Sequence, residues 1–472
     1  MKNTTKILRS FCFIFVMIPF LACAEEISTS ASCLATDLEA SSLSHLEAQP
    51  QQENLNLLLK MDDLKNQLPH FQQALAAAHS LAPDLESFRI SQVSHNIISL
   101  IISAKSPAKA VIEAFIQQGK ILYAETNHKT FLTDLGEESA TVNQVTDQTG
   151  DQALELPQMA ATGKEIIVAV IDSGVDYTHK DLVRYMWRNP GEIAGNGIDD
   201  DRNGYVDDYF GHDFANNDSD PMADDKRSYH GTHVAGIVKT AAQLGRIGIN
   251  LKIMALKYLD STGTGWTGNA IKAIDYAVKN GAIIINNSWG SLNSSRSLVE
   301  AIERARLAHV LFIAAAGNGD SAGNGINIDR KPFFPAAYKH SNIISVAAAN
   351  DRNILTQWSN FGGTNVDIAA PGLRINSTVN GNRYALLSGT SMASPFVAGV
   401  AAMLWNQRPD LSYKEIRYIL FKSSQSAQFL KGKVATSGGI NPDNAMALAR
   451  NYRHDPNDKD LPEFMDSQGC YQ

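Results

Sequence analysis

Residues 165–175 read EIIVAVIDSGV, and this stretch decides the fold. Residues 166–171 form an unbroken apolar run, mostly β-branched, which is typical of a strand buried on both faces. Such strands belong to parallel sheets whose two faces are covered by helices. The run ends in Asp172, at the carboxyl edge where α/β proteins place their functional groups. The sequence therefore predicts an α/β fold with a carboxylate at the functional edge of its sheet.

Strands and helices alternate after this run, which is the pattern of a parallel sheet with helices on both faces. Gly281 marks the end of one of these helices. The predicted strands are 165–172, 251–258, 283–288, 311–316 and 343–348, and the predicted helices are 269–280, 298–308, 393–406 and 413–422.

Residues 389–395 read GTSMASP and put a serine where a tight turn leads into an apolar helix of small residues. A helix start offers unpaired backbone N–H groups and the positive end of the helix dipole. Pro395 is tolerated in a first turn. A buried helix with a capping serine is the structural alternative for this stretch.

Residues 230–236, HGTHVAG, open a second helix of small residues and supply a base. A serine hydroxyl becomes a nucleophile when a base lies within hydrogen-bond reach and a carboxylate fixes the tautomer of that base. Asp172, His230 and Ser391 supply the three groups. We expect His233 to be structural, because zinc-binding helices use histidines four residues apart with a glutamate between them.

Four motifs together resemble the subtilisin family of serine proteases. They stand in the order of the family, and the similarity extends over roughly residues 155–450. Phe396 stands where the family often has histidine, outside the catalytic three. The four motifs are VIDSGV at 170–175, HGTHVAG at 230–236, AAGN at 315–318 and GTSMASP at 389–395.

The resemblance implies a subtilisin-like parallel sheet and a serine endopeptidase that works through an acyl-enzyme. It makes Asp172, His230 and Ser391 the triad and Asn318 the oxyanion-hole donor, with no cofactor for catalysis. It also implies that an extended polypeptide binds through its backbone between two short segments. An apolar, bulky side chain is expected before the cleaved bond, in a pocket shaped by Trp289. The two segments are Gly263-Thr264-Gly265 and Ser288-Trp289-Gly290.

The acidic stretch 196–225 contains ten aspartates and a single basic residue, Arg202, in a chain of net charge −8. Crowded carboxylates repel one another without a counter-ion. Residues 199–208, DDDRNGYVDD, partly match a calcium loop, although Phe210 stands where the closing glutamate would be. A solvated acidic loop is the alternative to a structural calcium site. The candidate calcium ligands are Asp199, Asp201, Asn203 and Asp207.

The sequence pattern at the amino terminus predicts that the protein is exported. Basic residues precede an apolar run, and small residues around Cys23 suit a signal peptidase, so residues 1–24 are interpreted as a signal peptide. We therefore expect a secreted or periplasmic protein; lipidation of Cys23 is the weaker alternative. Whether Cys33 and Cys470 pair is left open by the sequence.

Residues 25–150 are interpreted as a prosegment. A strand, a helix and a strand at 96–103, 107–118 and 121–126 resemble the inhibitory prosegments of subtilases, with the inhibitor-like part at about residues 90–136. Leucines at helical spacing precede it, and Ser106 is a plausible cap of its helix. The cut is expected within 137–152, before a catalytic domain at 151–452 and a polar tail at 453–472. A domain that is never removed is the alternative. The leucines are Leu57, Leu64, Leu68 and Leu75.

Composition limits the other classes of function. The chain has 472 residues with 44% hydrophobic and 19% charged residues, which is ordinary for a globular protein. It has no basic block for nucleic acid and no later apolar run long enough to span a membrane. We expect a monomer that acts on polypeptides and is inhibited by its own prosegment. A catalytically silent binding protein is a second hypothesis, and a dinucleotide-binding oxidoreductase is disfavoured because no G-x-G-x-x-G follows the first strand.

Overall fold

The computed structural model describes residues 54–79, 88–103, 108–132, 163–224, 228–246 and 248–453. The predicted signal peptide, the predicted cut within 137–152, the cap at Ser106, both Cys33 and Cys470, and the tail from residue 454 lie outside the described residues. None of the helices in the described ranges is long and apolar enough to cross a membrane.

A four-stranded antiparallel sheet forms the amino-terminal part, in the order β2-β3-β1-β4, and two helices pack against it. The described residues of this part start at Asn54, and β1, α1 and the first residue of β2 precede residue 90. A further short strand, β5, does not belong to this sheet and pairs with two strands of the larger part. The elements are β1 (Asn54–Met61), α1 (Leu64–His79), β2 (Arg89–Ser94), β3 (Ile97–Ser103), α2 (Ala108–Gln117), β4 (Ile121–Thr126) and β5 (Lys129–Leu132).

The prediction of a helix is wrong for one leucine of the series, Leu57. Leu64, Leu68 and Leu75 lie on α1, as helical spacing predicts, but Leu57 lies in β1. Leu57 faces the two helices of the amino-terminal part, while Leu58 joins the core of the larger part. A strand buried on both faces is apolar at consecutive positions, so its periodicity does not separate it from a helix.

The larger part is a nine-stranded sheet in the order β17-β18-β14-β13-β12-β10-β6-β8-β7. All its pairs are parallel except β17 with β18. The predicted parallel α/β architecture is confirmed. Its strands are β6 (Ile166–Asp172), β7 (Gly211–Asp213), β8 (Leu251–Lys257), β10 (Ile284–Asn287), β12 (Leu311–Ala315), β13 (Ile343–Ala349), β14 (Ile368–Pro371), β17 (Gln425–Ser426) and β18 (Gly438–Gly439).

Helices cover both faces of this sheet. Val168 and Val170 of β6 pack with the core under α3, α6, α7 and α8, whereas Ala169 and Ile171 pack with the core under α4 and α5. The alternation follows from the period of two in a strand. The helices are α3 (His230–Ala242), α4 (Thr267–Lys279), α5 (Arg296–Leu307), α6 (Thr390–Gln407), α7 (Tyr413–Lys422) and α8 (Pro442–Asn451).

Four more short strands lie outside the main sheet. A hairpin precedes α6, and two strands flank β5 in a three-stranded antiparallel sheet of order β11-β5-β9. The amino-terminal part therefore extends one strand into the larger part. These strands are β9 (Thr264–Trp266), β11 (Trp289–Gly290), β15 (Ile375–Val379) and β16 (Arg383–Leu387).

The predicted element bounds hold within about three residues, and the largest shift is at α6. This helix was predicted from residue 393 and begins at Thr390, after the cap Gly389. Pro395 is therefore its sixth residue and not part of the first turn. A proline there removes one hydrogen bond of the helix, the one to the carbonyl of Ser391. Ser391 belongs to the candidate site.

Candidate active site

Asp172 and His230 form a buried pair at the carboxyl edge of the sheet. Asp172 is the last residue of β6 and His230 is the first of α3; they are 1% and 3% exposed. Nδ1 of His230 lies 2.8 Å from Oδ1 of Asp172, which also accepts the main-chain N–H of Ser173 at 2.7 Å. A carboxylate on Nδ1 fixes the imidazole tautomer and leaves Nε2 as the basic nitrogen.

Gly231 allows α3 to approach the end of β6 this closely. A Cβ atom on Gly231 would lie 2.2 Å from the carbonyl oxygen of Gly174 and 3.1 Å from Cβ of Asp172. A larger residue would push the helix start away from the strand. The glycine after His230 is therefore part of what brings the imidazole to the carboxylate.

Ser391 is the second residue of α6 and is fully buried. Its hydroxyl donates to the carbonyl oxygen of Ser288 at 3.1 Å. Pro395 cannot donate to the carbonyl of Ser391, and the hydroxyl of Ser288 donates to it instead, at 3.0 Å. The helix thus exchanges one of its own hydrogen bonds for a tie between Ser391 and the strand segment that begins at Ser288.

Asn318 stands beside the start of α6. Its Oδ1 accepts the main-chain N–H of Thr390 at 2.9 Å and the hydroxyl of Thr390 at 2.8 Å. Because one branch of the carboxamide is committed to Thr390, the two N–H donors lie on the other branch. Gly317, with φ of +96°, makes the turn between β12 and Asn318; a Cβ there would lie 2.4 Å from Nδ2 of Asn360.

The two segments expected to hold a peptide flank β5. Leu132 N–H donates to the carbonyl of Gly263 at 3.1 Å, and Thr130 stands opposite Gly265. On the other side, Phe131 stands opposite Gly290. A Cβ atom on Gly263 would lie 2.8 Å from Cδ1 of Leu132, so the glycine leaves room for the bound strand. This occupant is a piece of the chain itself.

Sequence reasoning missed β5. Its four residues, KTFL at 129–132, are too short for a periodic signal, and Thr130 is buried while Phe131 is half exposed. The strand forms through pairing with β9 and β11, which are distant in the sequence. The available signal was its place directly after the predicted strand at 121–126.

Trp289, which is expected to shape the pocket for the side chain before the cleaved bond, is covered on all sides in this structure. Its indole is fully buried, donates through Nε1 to the carbonyl of Ile171 at 3.0 Å, and packs on the ring of Tyr258 with centroids 4.9 Å apart. Thr264 lies in β9 opposite Phe131, and Ser288 holds Ser391 as described above. The six candidate peptide-binding residues thus lie in, or directly before, the strands β9 and β11 on either side of β5.

His233 is a structural residue. It is fully buried, and its Nε2 lies 3.1 Å from the carbonyl oxygen of Ile375 and 3.0 Å from that of Ala385. Burial lowers the pKa of His233 to about 3, so the ring stays neutral and donates to these carbonyls. The hydrogen bonds join α3 to the hairpin β15–β16.

The acidic loop gathers a different set of carboxylates from the one expected. Oxygen atoms of Glu192, Asp201 and Asp208 lie within 4.8 Å of one another. Of the three carboxylates among the predicted ligands, Asp201 alone belongs to this cluster. Asp199 accepts the N–H groups of Asn203 and Gly204, and Asp207 accepts those of Asn196 and Gly197. The fourth predicted ligand, Asn203, lies beside the cluster and donates its side-chain amide to Asp201 and Asp208.

Electrostatics at this cluster favour a positive partner. Glu192 and Asp208 are 7% and 0% exposed, and burial raises the pKa of both carboxyl groups. Hydrogen bonds from Tyr276 and Asn203 to Asp208 act in the opposite direction. Within the described residues, Oε2 of Glu192 is buried and accepts no hydrogen bond. Three carboxylates with hard oxygen donors fit a calcium-like cation.

Known proteins resemble the part of the chain that carries this site. The sequence pattern described as the subtilase family matches residues 163–449. Subtilisin-like protease 1 of Plasmodium falciparum (isolate 3D7) is 36% identical over 302 residues, covering 60% of this chain and 43% of that protein. The thermophilic serine proteinase of Bacillus sp. (strain AK1) is 40% identical over 251 residues, covering 52% and 53%. The chain spans about half the length of these curated relatives.

A solved structure has the same fold. Fervidolysin from Fervidobacterium pennivorans, described as a keratinolytic enzyme related to subtilisin, matches with a TM-score of 0.59 at 22% identity. The match covers 84% of this chain and 61% of that one. At this identity the likeness concerns the fold, and it agrees with the subtilisin-like sheet expected from the sequence.

Proposed function

Because this chain belongs to the subtilase family, we propose that it is a serine endopeptidase that uses Asp172, His230 and Ser391 as its triad. The observation that carries the proposal is the buried 2.8 Å contact between His230 Nδ1 and Asp172 Oδ1. This contact leaves Nε2 of His230 to act as the base. A silent binding protein on the same scaffold would have no need to keep it.

The reaction follows from the roles of these groups. Nε2 of His230 takes the proton of the Ser391 hydroxyl as its oxygen attacks the peptide carbonyl, and Asp172 stabilises the imidazolium that forms. The N–H donors of Asn318 and the main-chain N–H of Ser391 stabilise the oxyanion. His230 then gives its proton to the leaving amine, and water hydrolyses the acyl-enzyme by the same steps. None of these steps needs a cofactor.

We further propose that the chain is made as a zymogen and exported. The predicted signal peptide at 1–24 supports a secreted or periplasmic location. The pairing of β5 with β9 and β11 supports the prosegment as an intramolecular inhibitor, because it occupies the segments proposed to hold a substrate backbone. The contact at the start of α5 supports the same role, since Glu125 accepts the hydroxyl of Ser295 and the N–H groups of Arg296 and Ser297.

Ser391→Ala tests the activity and the self-processing together. We expect it to abolish proteolysis and to leave the full-length exported precursor, as seen by mass spectrometry and amino-terminal sequencing. Ser345→Ala is the matched control, because it removes an equally buried hydroxyl from β13. Full activity of the Ser391→Ala protein would contradict the nucleophile, and a mature-size product from it would contradict self-processing.

The acidic loop is proposed to hold a structural calcium ion. Glu192, Asp201 and Asp208 would bind it, and the support is their proximity together with the buried Oε2 of Glu192. A cation bound to the folded state alone raises the melting temperature by mass action. We expect calcium to raise the melting temperature, and Glu192→Gln to reduce that rise more than Asp351→Asn, an exposed control. An unchanged melting temperature with calcium and chelator would exclude the site.

A further inference from the structure

A buried tyrosine hydroxyl lies under the bound strand. Tyr258 directly follows β8 and is fully buried with β5 in place. The hydroxyl of Thr130 donates to Oη of Tyr258 at 3.3 Å, and Thr130 is itself 1% exposed. Among the described residues, Thr130 is the partner of this phenol. The side chain at this position of the bound strand therefore decides whether a buried polar group is satisfied.

The ring of Tyr258 is held in place from two sides. Trp289 packs on it and is itself fixed by the hydrogen bond to the carbonyl of Ile171. Gly265, which pairs with Thr130, lies against the other edge, where a Cβ atom would be 2.7 Å from Cε2 of Tyr258. The phenol cannot swing away without displacing its neighbours. The floor of this position is thus a rigid hydroxyl rather than an adaptable apolar surface.

Burial raises the pKa of Tyr258 well above its usual value, so the phenol stays neutral at ordinary pH. A neutral phenol can donate and accept one hydrogen bond with a hydroxyl partner. An apolar side chain of the same shape leaves it buried and unpaired. Sites built to hydrogen-bond a substrate group reject analogues that lack it more strongly than apolar pockets reject small changes of size.

We propose that Tyr258 makes the cleft selective for a β-hydroxy residue, threonine or serine, at the position that Thr130 occupies. For the prosegment, the selection stabilises the docked β5. For polypeptide substrates, the selectivity rests on the proposed endopeptidase function. It favours extended segments with threonine or serine at this position. Tyr258 acts as a specificity-determining residue, and Trp289 and Gly265 position its ring.

The hydrogen bond is long for two hydroxyls, so the expected effect lies at the lower end for a buried unpaired group. We expect Thr130→Val, which keeps the shape and removes the hydroxyl, to raise local opening of β5 about fivefold. Thr130→Ser keeps the hydroxyl and should change opening less than about twofold. Tyr258→Phe removes the partner and leaves the buried hydroxyl of Thr130 unpaired, so valine should then dock at least as well as threonine.

Hydrogen exchange of the full chain tests the pocket without relying on catalysis. The Thr130 and Tyr258 changes are made singly and together in the Ser391→Ala background, and exchange of the amides of β5 is followed by mass spectrometry. We expect Thr130→Val to speed exchange about fivefold when Tyr258 is present and less than about twofold when it is combined with Tyr258→Phe. Equal effects of Thr130→Val in both backgrounds, or no effect in either, would overturn the proposal.

Peptide cleavage by the exported enzyme tests the substrate class. Peptides copied from residues 127–152, which include the predicted cut, carry Thr, Ser, Val or Ala at the position of Thr130 and are compared by kcat/KM. We expect threonine to exceed valine about fivefold, and Tyr258→Phe to remove this ratio. Cleavage of all four peptides at one rate would overturn the selectivity while leaving the endopeptidase in place. Failure to cleave any peptide, with the exchange result intact, would contradict the proposed function and confine the selectivity to β5.

Discussion

Glu125 joins the amino-terminal part to the larger part, and its contribution to this contact can be estimated. It follows Ala124 near the end of β4, and its carboxylate accepts three hydrogen bonds at the start of α5. They come from the hydroxyl of Ser295 at 2.8 Å and the N–H groups of Arg296 and Ser297 at 2.8 and 3.0 Å. The N–H groups of Arg296 and Ser297 are among those that a helix start cannot satisfy internally.

The change to test is Glu125→Gln. It keeps the shape and one acceptor oxygen but removes the charge and turns an NH2 group toward N–H donors. A negative charge at a helix start contributes about 0.3–1 kcal/mol, and up to about 2 kcal/mol when partly buried; a hydrogen bond to a charged group contributes about 1.5–3 kcal/mol. Discounting for partial exposure, we expect a loss of about 2 kcal/mol, or roughly 30-fold in docking.

Hydrogen exchange of the full-length Ser391→Ala chain measures this loss. Amides in the first turn of α5 and along β5 should exchange about 10–30-fold faster in Glu125→Gln, because the docked part opens more often. Glu113→Gln is the control, since Glu113 is an exposed glutamate on α2 of the same part. Exchange that is the same in the two variants would refute the claim that Glu125 holds this interface.

Three further predictions concern the larger part. Lys257 is fully buried with Asp213 at 2.8 Å, so Lys257→Ala should lower the free energy of unfolding, measured in urea, by about 3–5 kcal/mol. Lys252 lies on the same strand in a loose, partly exposed pair with Glu165 at 4.0 Å, and Lys252→Ala should cost below about 1 kcal/mol. Burial lowers the pKa of His233 from 6.5 in the unfolded chain to about 3 in the folded one. The unfolded chain therefore binds the proton first, and the free energy of unfolding decreases as the pH falls below 6.5. His233→Gln should reduce the slope of the free energy of unfolding against pH by about 1.4 kcal/mol per pH unit. Asp172→Asn should lower kcat about 10⁴-fold with the fold intact by circular dichroism, because the imidazole loses its tautomer; activity within tenfold of the unchanged enzyme would contradict the role of Asp172.

The parallel sheet was predictable because each of its buried strands is visible in the sequence as an apolar run. β6 and β12 are apolar at nearly every position and β8 is interrupted by Lys252 alone before its last residue, and helices separate the three strands along the chain. Their burial on both faces comes from the same property that makes them visible in the sequence. Asp172 ends β6 directly after the apolar run, so its place at the edge of the sheet required no tertiary information.

Elements that depend on distant partners were not predictable in the same way. The start of α6 lies three residues before the expected residue because Ser288, about a hundred positions earlier, satisfies the carbonyl that Pro395 leaves unbonded. The strand β5 exists through pairing with β9 and β11. Local periodicity contains neither fact, since each needs a contact between remote segments.

The acidic loop shows the same limit at the level of single side chains. Alternate residues of 199–207 suggested ligands along one loop, but a loop that turns on its own N–H groups uses many of its carboxylates for that purpose. Asp199 and Asp207 are used in this way. Glu192, seven residues before Asp199, enters the cluster instead. Spacing alone does not decide which carboxylates face the backbone and which face each other.

In the proposed enzyme, Ser391 is a nucleophile activated by the pair of His230 and Asp172. The most direct measurement is labelling of the exported protein with a fluorophosphonate probe, followed by peptide mapping, in the unchanged chain and in His230→Ala. We predict stoichiometric labelling at Ser391 and a loss of labelling rate of several orders of magnitude in His230→Ala. Labelling absent from Ser391, or equally fast without the imidazole, would contradict the account.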